Sequence, residues 1–235
     1  MLEKKILIVG GSRGIGLSLA KKALSQNSEV TVIARKKTDY LQNSKIKFIQ
    51  QDFNDISLAR HTLVAVQPNI LILCVAQGLY GDVLRFSNEQ IFQCIKTSLI
   101  STIVWLKEAI DILPENSKIG WISSLTAKMT SHSWSYYASA KAGVDHFIDC
   151  AREIAIARGI SITICYPGCI ATGFHKRAGT ETPANAVEPS QIAGDLLQAV
   201  GNRLDFWASD MDKDCIEEIY KFNKNHRCKF GDLLK

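Results

Sequence analysis

The sequence has no dense basic block and no long apolar run. Its formal net charge is +5, but lysines and arginines occur singly or in short pairs such as Lys21-Lys22 and Lys36-Lys37, which are typical of a solvated face. A nucleic-acid-binding surface would need a basic stripe with interleaved aromatic residues, and the sequence has none. No apolar run is long enough to span a bilayer. We therefore expect neither nucleic acid nor a membrane among the partners.

The sequence also contains neither paired cysteines nor residues at the spacing of metal ligands. The seven cysteines are an odd number and form no Cys-x-x-Cys pair, and Cys165 and Cys169 lie close together without further partners. No cluster of histidines or carboxylates has the spacing of a metal site, so we expect no metal. Scattered thiols fit the reducing cytosol, and residues 1–5 show no apolar core of a signal peptide. These features predict a cytoplasmic protein.

The sequence also lacks internal repeats, low-complexity tracts and interdomain linkers, and its 235 residues fit one α/β domain spanning 1–235. Short runs rich in Val, Ile and Leu alternate with segments of helical spacing. Because these runs are apolar at nearly every position, they predict strands buried on both faces of a parallel sheet. The fold class that follows is a doubly wound α/β sheet of about seven strands with helices on both faces. Strands are predicted at 6–9, 30–34, 46–50, 70–75, 118–123, 160–165 and 203–208, and helices at 15–25, 56–66, 88–113, 135–158, 188–200 and 213–222.

A glycine-rich turn follows the first predicted strand and opens the first predicted helix. Its sequence is Gly10-Gly11-Ser12-Arg13-Gly14-Ile15-Gly16. Glycines permit positive φ and let a phosphate approach the backbone, and the helix N-terminus supplies N–H donors for a pyrophosphate. Tight strand-to-helix turns also use glycine without any ligand. The position and the Gly-x-x-x-Gly-x-Gly spacing favour nucleotide binding.

The end of the second predicted strand bears on which nucleotide binds. An acidic residue there would bond the ribose 2′-hydroxyl of NAD, but this sequence has Ala34-Arg35-Lys36, and Arg13 lies in the glycine turn. Arginine offers a bidentate fork to a 2′-phosphate. We therefore expect NADP(H) rather than NAD(H). The alternative is that Arg35 and Lys36 are exposed loop charges without a ligand.

Three residues form a candidate catalytic set. Ser124 follows the fifth predicted strand, where the carboxyl ends of parallel strands face the ligand crevice. Tyr137 and Lys141 are one turn apart near the start of the next helix, so they share a face. A tyrosine can protonate the alkoxide left by hydride transfer, a nearby ammonium lowers its pKa, and a serine can hold the substrate oxygen. A Tyr-x-x-x-Lys pair alone is common in helices, but the combination points to redox chemistry on a carbonyl.

On these residues the sequence resembles the classical short-chain dehydrogenase/reductase family over nearly its whole length. The glycine turn, Ser124 and the segment Tyr137-Ala138-Ser139-Ala140-Lys141 match the family's motifs, and Tyr166–Thr172 resembles its Pro-Gly stretch. The resemblance implies a single Rossmann-type domain and hydride transfer between NADP(H) and a small carbonyl or alcohol. The cofactor-binding residues that it implies are Gly10, Ser12, Arg13, Gly14, Ile15, Gly16, Arg35, Asp52, Phe53, Val75, Ala76, Tyr137, Lys141, Pro167, Gly168, Ile170 and Thr172.

The sequence departs from the family pattern at several positions. Val9 stands in place of the usual threonine, and Cys74–Gly78 replaces the usual Asn-Asn-Ala-Gly. Ser98 falls where an asparagine often completes a catalytic tetrad, and the resemblance implies that its main-chain carbonyl takes part in a proton relay. The segment 173–189 is short, and the tail 212–235 lacks the family's common glycine-rich ending, a pattern that resembles members similar to the bacterial C-factor signalling proteins. These departures leave an alternative, a non-catalytic NADP(H)-binding sensor or signalling protein.

The surroundings of the site carry further expectations. The irregular segment 173–189 predicts a lid over the substrate. Trp134 and Tyr136 either line an apolar wall beside Tyr137 or pack in the core. His132 is expected on an exposed loop, with a pocket contact as the alternative. His175 and Lys176 are expected at the solvent surface, with contact to an acidic substrate as the alternative. The resemblance also implies a homodimer or homotetramer, formed through the long helices on either side of the fifth strand.

Overall fold

The computed structural model describes residues 4–209, residue 214 and residues 216–218. Within them lie seven strands: β1 (Lys5–Val9), β2 (Glu29–Ala34), β3 (Lys47–Gln50), β4 (Ile70–Leu73), β5 (Lys118–Ile122), β6 (Ser161–Tyr166) and β7 (Phe206–Ala208). They form one parallel sheet in the order β3-β2-β1-β4-β5-β6-β7. From β1 the chain runs through β2 to β3 at one edge, then crosses to β4 on the other side of β1 and continues to the opposite edge, so a crevice opens between β1 and β4 at their carboxyl ends.

The helices cover both faces of this sheet. They are α1 (Gly14–Ser25), α2 (Asp39–Gln42), α3 (Leu58–Val66), α4 (Asn88–Ile95), α5 (Ser101–Ile112), α6 (Ser135–Ala157), α7 (Phe174–Ala178) and α8 (Pro189–Gly201). Apolar residues of α1 and α8 pack with one face of the sheet, and those of α3, α5 and α6 pack with the other. The predicted fold class, a doubly wound Rossmann-type sheet of seven strands, is confirmed.

One strand boundary differs from the prediction for a local reason. The strand predicted at 203–208 begins only at Phe206, because Arg203 has φ +59° and its N–H closes the end of α8 on the Val200 carbonyl. The helix predicted at 213–222 lies largely outside the described residues.

The helix predicted at 88–113 is interrupted by a π-helical segment, Lys96–Ile100, between α4 and α5. A π turn leaves the backbone one residue out of step with the α-helical pattern, and such turns are frequent at functional sites. Here it buries Ser98 completely. The Ser98 hydroxyl accepts a hydrogen bond from the Gln77 N–H (2.9 Å) and donates one to the Gln77 carbonyl (3.1 Å). The π turn therefore braces the chain that follows β4.

The segment predicted as an irregular lid contains a short helix of its own. Helix α7 lies between Gly173 and Gly179, which have φ of +65° and +98°. The remainder of the segment is anchored where Ile170 bridges Val187. Two left-handed glycines thus bracket a five-residue helix that lies over the sheet's carboxyl edge.

No helix among the described residues has both the length and the apolar character to cross a bilayer. The same residues hold no group of three or more side chains suited to bind a metal ion. Five cysteines in the described part of the chain, Cys74, Cys94, Cys150, Cys165 and Cys169, are free thiols.

Candidate active site

A cleft of about 1410 Å³ lies along the carboxyl ends of the strands, from β3 to β6. All the residues predicted from the sequence for cofactor binding line it, as do Ser124, Tyr137 and Lys141. Ser98 is the exception, because its hydroxyl faces Gln77 behind the cleft wall. The structure therefore brings together in one cavity segments that are more than 150 residues apart in the chain.

The glycine turn is shaped by close backbone approaches. Gly10 has φ +88°, and a Cβ there would lie 2.8 Å from the Val75 side chain. A Cβ on Gly16 would collide with the Gly10 carbonyl oxygen. Side chains would therefore push α1 away from β1 and close the space at the helix N-terminus. Helix α1 has no acidic residue in its first turn, so its N–H groups and positive dipole end are available to an anion.

Cations surround one end of the cleft. Arg13, Arg35 and Lys36 are exposed and line it together with Arg177 of α7. Burial and, next, the neighbouring charge of Arg13 lower the pKa of Arg177. Like charges held this close favour an anionic ligand between them. The predicted basic environment is thus present, and Arg177 adds a cation that the sequence pattern did not single out.

At the other end lie the three candidate catalytic residues. Tyr137 and Lys141, on consecutive turns of α6, are 8% and 2% exposed. Ser124 follows β5 and accepts hydrogen bonds from the Thr126 N–H (3.3 Å) and hydroxyl (3.0 Å). The Lys141 ammonium donates to the Ile122 carbonyl (2.6 Å) and lies 5.6 Å from the Tyr137 ring centroid.

The electrostatics of this end are dominated by burial. Burial raises the pKa of Tyr137 above its usual range, and its hydrogen bond with Ser124 opposes this. The expected lowering of the Tyr137 pKa by Lys141 is not seen, and desolvation is the largest cause of the opposite shift. Burial also lowers the pKa of Lys141 to about 7, against the opposing charge of Asp145. Tyr137 is therefore held in its protonated, proton-donating form.

Aromatic rings enclose Tyr137 from the lid side. The Trp134 ring lies 5.5 Å from that of Tyr137, and Phe174 of α7 lies 5.1 Å from it. Trp134 and Phe174 stack on each other at 5.7 Å. Trp134 thus forms the apolar wall that was one of its two expected places. Phe174 was missed, since only the folding of α7 brings it here, although an aromatic residue directly after Gly173 was a usable signal.

The structure also shows where four other residues of this region lie. The Tyr136 hydroxyl donates to the Val83 carbonyl (2.8 Å), and its ring packs against Phe86 rather than Tyr137. His132 and Lys176 are exposed, as expected. His175 was expected at the solvent surface, but it is half-buried, lines the cleft, and has its pKa lowered by burial. The helical turn of α7 is what carries it inward.

A family model described as short chain dehydrogenase matches residues 4–183. Among curated relatives, the 3-oxoacyl-[acyl-carrier-protein] reductase FabG of Escherichia coli (strain K12) is 27% identical over 226 residues, which cover 88% of this chain and 91% of that protein. The PIGF/3-ketodihydrosphingosine reductase fusion protein of Schizosaccharomyces pombe is 24% identical over 200 residues, or 77% of this chain. This chain spans only 40% of the length of that fusion protein.

The same architecture occurs in solved structures. The crystal structure of BdcA in complex with NADPH matches with a TM-score of 0.76 at 21% identity, over 87% of this chain and 91% of that chain. The family model covers well over half of the chain, including the glycine turn and the Ser124, Tyr137 and Lys141 positions. The chain belongs to the short-chain dehydrogenase family.

Proposed function

We propose that this protein is an NADP(H)-dependent oxidoreductase that transfers a hydride between the cofactor and a small carbonyl or alcohol. The observation that carries the proposal is the convergence of Ser124, Tyr137 and Lys141 in the same cleft as the glycine turn. A pure nucleotide-binding site has no need of a buried tyrosine and lysine at its far end. The names of the relatives, both reductases, favour carbonyl reduction as the direction.

The residues along the cleft fit a dinucleotide in an extended form. The glycine turn and the start of α1 would hold the pyrophosphate, Asp52 and Phe53 the adenine, and Arg13 with Arg35 the 2′-phosphate. Val75 and Ala76 form the floor between them and the catalytic end. The segment Pro167–Thr172, with Gly168 and Ile170, would hold the nicotinamide, and Lys141 its ribose. The cleft's complement of cations, with Arg177 among them, supports NADP(H) over NAD(H).

The chain's own residues can then complete the chemistry. Bound NADPH supplies the hydride. Ser124 orients the carbonyl oxygen by a hydrogen bond, and Tyr137 donates its phenolic proton to that oxygen as charge develops on it. The Lys141 ammonium stabilises the phenolate that remains. Ser98 acts indirectly: its hydroxyl fixes the main chain of Gln77, in the segment that follows β4, and does not contact the substrate.

We infer that residues 1–235 act as one domain in which 173–189 is the substrate lid. The support is the position of α7, whose Phe174 covers Tyr137 and whose ends are the glycines with positive φ. Closing such a segment excludes water from a site where charge develops. The cytoplasmic location and the narrower resemblance to C-factor-like proteins stay predictions.

A sensor that binds NADP(H) without turnover is the second candidate. The observation that favours it is the cover of Trp134 and Phe174 over Tyr137, together with Ser98 facing away from the cleft. One experiment distinguishes the enzyme from the sensor. A panel of aldehydes, ketones and 3-oxoacyl thioesters is incubated with NADPH, and consumption is followed by absorbance. Turnover of any member that is lost in Ser124→Ala supports the enzyme, whereas tight NADPH binding without turnover on the whole panel supports the sensor.

A further inference from the structure

A buried carboxylate lies behind the catalytic end of the cleft. Asp145 follows Lys141 by one turn of α6 and is 1% exposed. Its Oδ1 accepts hydrogen bonds from Trp121 Nε1 (3.1 Å) and the Ser123 hydroxyl (2.7 Å), and its Oδ2 accepts one from the Tyr166 hydroxyl (2.9 Å). The Lys128 ammonium lies 3.5 Å from Oδ2. Burial raises the pKa of Asp145, and the charge of Lys128 and the three hydrogen bonds oppose this shift. Because every one of these neighbours is a donor, the cluster favours the ionised carboxylate over the protonated one.

The indole of Trp121 links this carboxylate to the catalytic lysine. Lys141 Nζ lies 3.8 Å from the centre of the Trp121 ring, over its face, while the N–H of the same indole donates to Asp145. A hydrogen bond to a carboxylate pushes electron density into the ring and deepens the negative potential of its face. Since Lys141 is almost fully buried, water cannot replace this support. Asp145 therefore acts on the ammonium both by its own charge and through the ring.

Apart from Asp145, the titratable groups that act on Lys141 are neutral. Facing Lys141 are Tyr137 and the thiols of Cys74 and Cys94, and burial raises the pKa of those thiols to about 12 and about 11, so they stay neutral. Facing Asp145 are the donors described above, with burial raising the pKa of Tyr166 so that it keeps its proton. Two charged groups also act on Tyr166: Asp149 raises its pKa, and Arg152 lowers it.

Asp145 also ties together the strand ends that carry the site. Ser123 directly precedes Ser124, and Tyr166 directly precedes Pro167. Their hydrogen bonds to one carboxylate fix the carboxyl ends of β5 and β6 relative to α6. A single buried group thus contacts the supports of the carbonyl-holding serine and of the segment proposed for the nicotinamide.

We propose that Asp145 is a positioning residue for the reaction, which keeps Lys141 in its ammonium form through Trp121 and holds Ser124 and Pro167 in place. The part that concerns turnover rests on the proposed function. The part that concerns the charge of Lys141 does not.

The test is the Lys141 titration in the full chain, read by NMR of lysines labelled with ¹³C at Cε and assigned with Lys141→Met. Asp145→Asn keeps the shape of the side chain, and its amide can still accept from Trp121 and donate to the Tyr166 oxygen. We expect the titration midpoint of Lys141 to lie about one pH unit lower in Asp145→Asn than in the wild type, which is a tenfold loss of proton affinity. Trp121→Phe, which keeps an aromatic face and loses the N–H, should give a smaller change of the same sign.

Thr163→Val is the matched control, because it removes a buried hydrogen bond of β6, to the Leu204 carbonyl, at a distance from the cleft. It should leave the Lys141 titration unchanged. An unchanged titration in both Asp145→Asn and Trp121→Phe, or an equal change in Thr163→Val, would overturn the proposal. In kinetics, the alkaline limb of kcat/KM should move to lower pH in Asp145→Asn. A wild type without turnover but with the expected NMR change would refute the proposed function and leave this inference standing.

Discussion

At the scale of single residues, we expect the basic end of the cleft to decide between NADP(H) and NAD(H). Arg13 and Arg35 reach it from the glycine turn and the end of β2, and Arg177 reaches it from α7. The pKa of Arg177 is lowered first by burial and then by Arg13, so these cations are close enough to repel each other. A phosphate monoester carries the charge that would relieve this repulsion, and a ribose hydroxyl does not.

Replacing Arg35 with Ala should therefore weaken NADPH binding and leave NADH binding nearly unchanged. A hydrogen bond to a charged group contributes about 1.5–3 kcal/mol, which corresponds to roughly a 10–100-fold rise in Kd. Fluorescence titration with each nucleotide measures both constants. Lys45→Ala, an exposed position that does not line the cleft, is the control. Equal losses for the two nucleotides would mean that Arg35 does not contact the 2′-phosphate.

Residues that lie in sequence motifs could be predicted, and residues brought in by tertiary packing could not. The spacing of Tyr137 and Lys141 fixes a shared helix face whatever the surroundings are, which is why the sequence sufficed for them. Asp145 looks like any polar residue of an amphipathic helix. The role proposed for Asp145 depends on its hydrogen bonds with Trp121 and Tyr166. These residues belong to separate strands and contact Asp145 only in the folded protein.

At the scale of elements, α7 is the part of the proposed lid that contacts Tyr137. The five-residue helix packs Phe174 and Ala178 against Gly78, where any Cβ would lie 2.6 Å from Phe174 and 2.9 Å from Ala178. This close packing on Gly78 places the Phe174 ring beside the ring of Tyr137. Since short helices have little stability of their own, the lid's order depends on this contact and on its two bracketing glycines.

Substitution of Gly179 with Ala should loosen the lid without any clash. Its φ of +98° disfavours a side chain, although the nearest atom to a new Cβ, the Tyr80 carbonyl oxygen, is 3.9 Å away. The left-handed conformation costs roughly 1–2 kcal/mol for a residue with Cβ. Amide exchange within residues 174–178 should then be about 5–30-fold faster, and KM for the carbonyl should rise.

Gly201→Ala is the control for this experiment, because its backbone is not left-handed and a Cβ there has open space. It should change neither exchange in α7 nor KM. Unchanged exchange in Gly179→Ala would show that the bracketing glycine does not set the lid's stability.

Among the described residues, the predicted elements agree with the structure to within a few residues, whereas the π turn and the short helices α2 and α7 were not predicted, for physical reasons. The π turn at Lys96–Ile100 leaves no mark in the apolar pattern, because it shifts the register by a single residue inside a continuous helix. Helix α7 is too short for a periodic signal and is defined by the glycines at its ends.

At the scale of the whole molecule, the parallel sheet gathers all the candidate groups at one edge. Because every strand points the same way, the segments after β1 to β6 leave at the carboxyl edge and line one cleft. The sheet was predictable because its strands are apolar on both faces. Substrate identity was not, since it depends on the shape formed by Trp134, Phe174 and His175, which only the folded lid creates.

The helices flanking β5 carry exposed apolar side chains on their outer surfaces. Ile100 of the π turn is 44% exposed, and Ile154 of α6 is 61% exposed. We expect a homodimer or homotetramer through these helices, and Ile100→Lys or Ile154→Lys should shift it toward monomer, because a desolvated charge opposes association. Light scattering after size-exclusion chromatography measures the mass. Val64→Lys, at an exposed apolar position of α3, is the control. A wild type that stays monomeric at all concentrations would contradict the assembly.

The proposed function depends most on proton donation by Tyr137 during hydride transfer from NADPH. The most direct measurement is a single-turnover reaction of a substrate found in the panel, with NADPH binding measured in parallel for the wild type and Tyr137→Phe. Phenylalanine keeps the ring packing with Trp134 and Phe174 and removes only the hydroxyl. For Tyr137→Phe we expect NADPH binding close to that of the wild type and a hydride-transfer rate lower by about 10²–10⁴-fold. A rate equal to that of the wild type would contradict it.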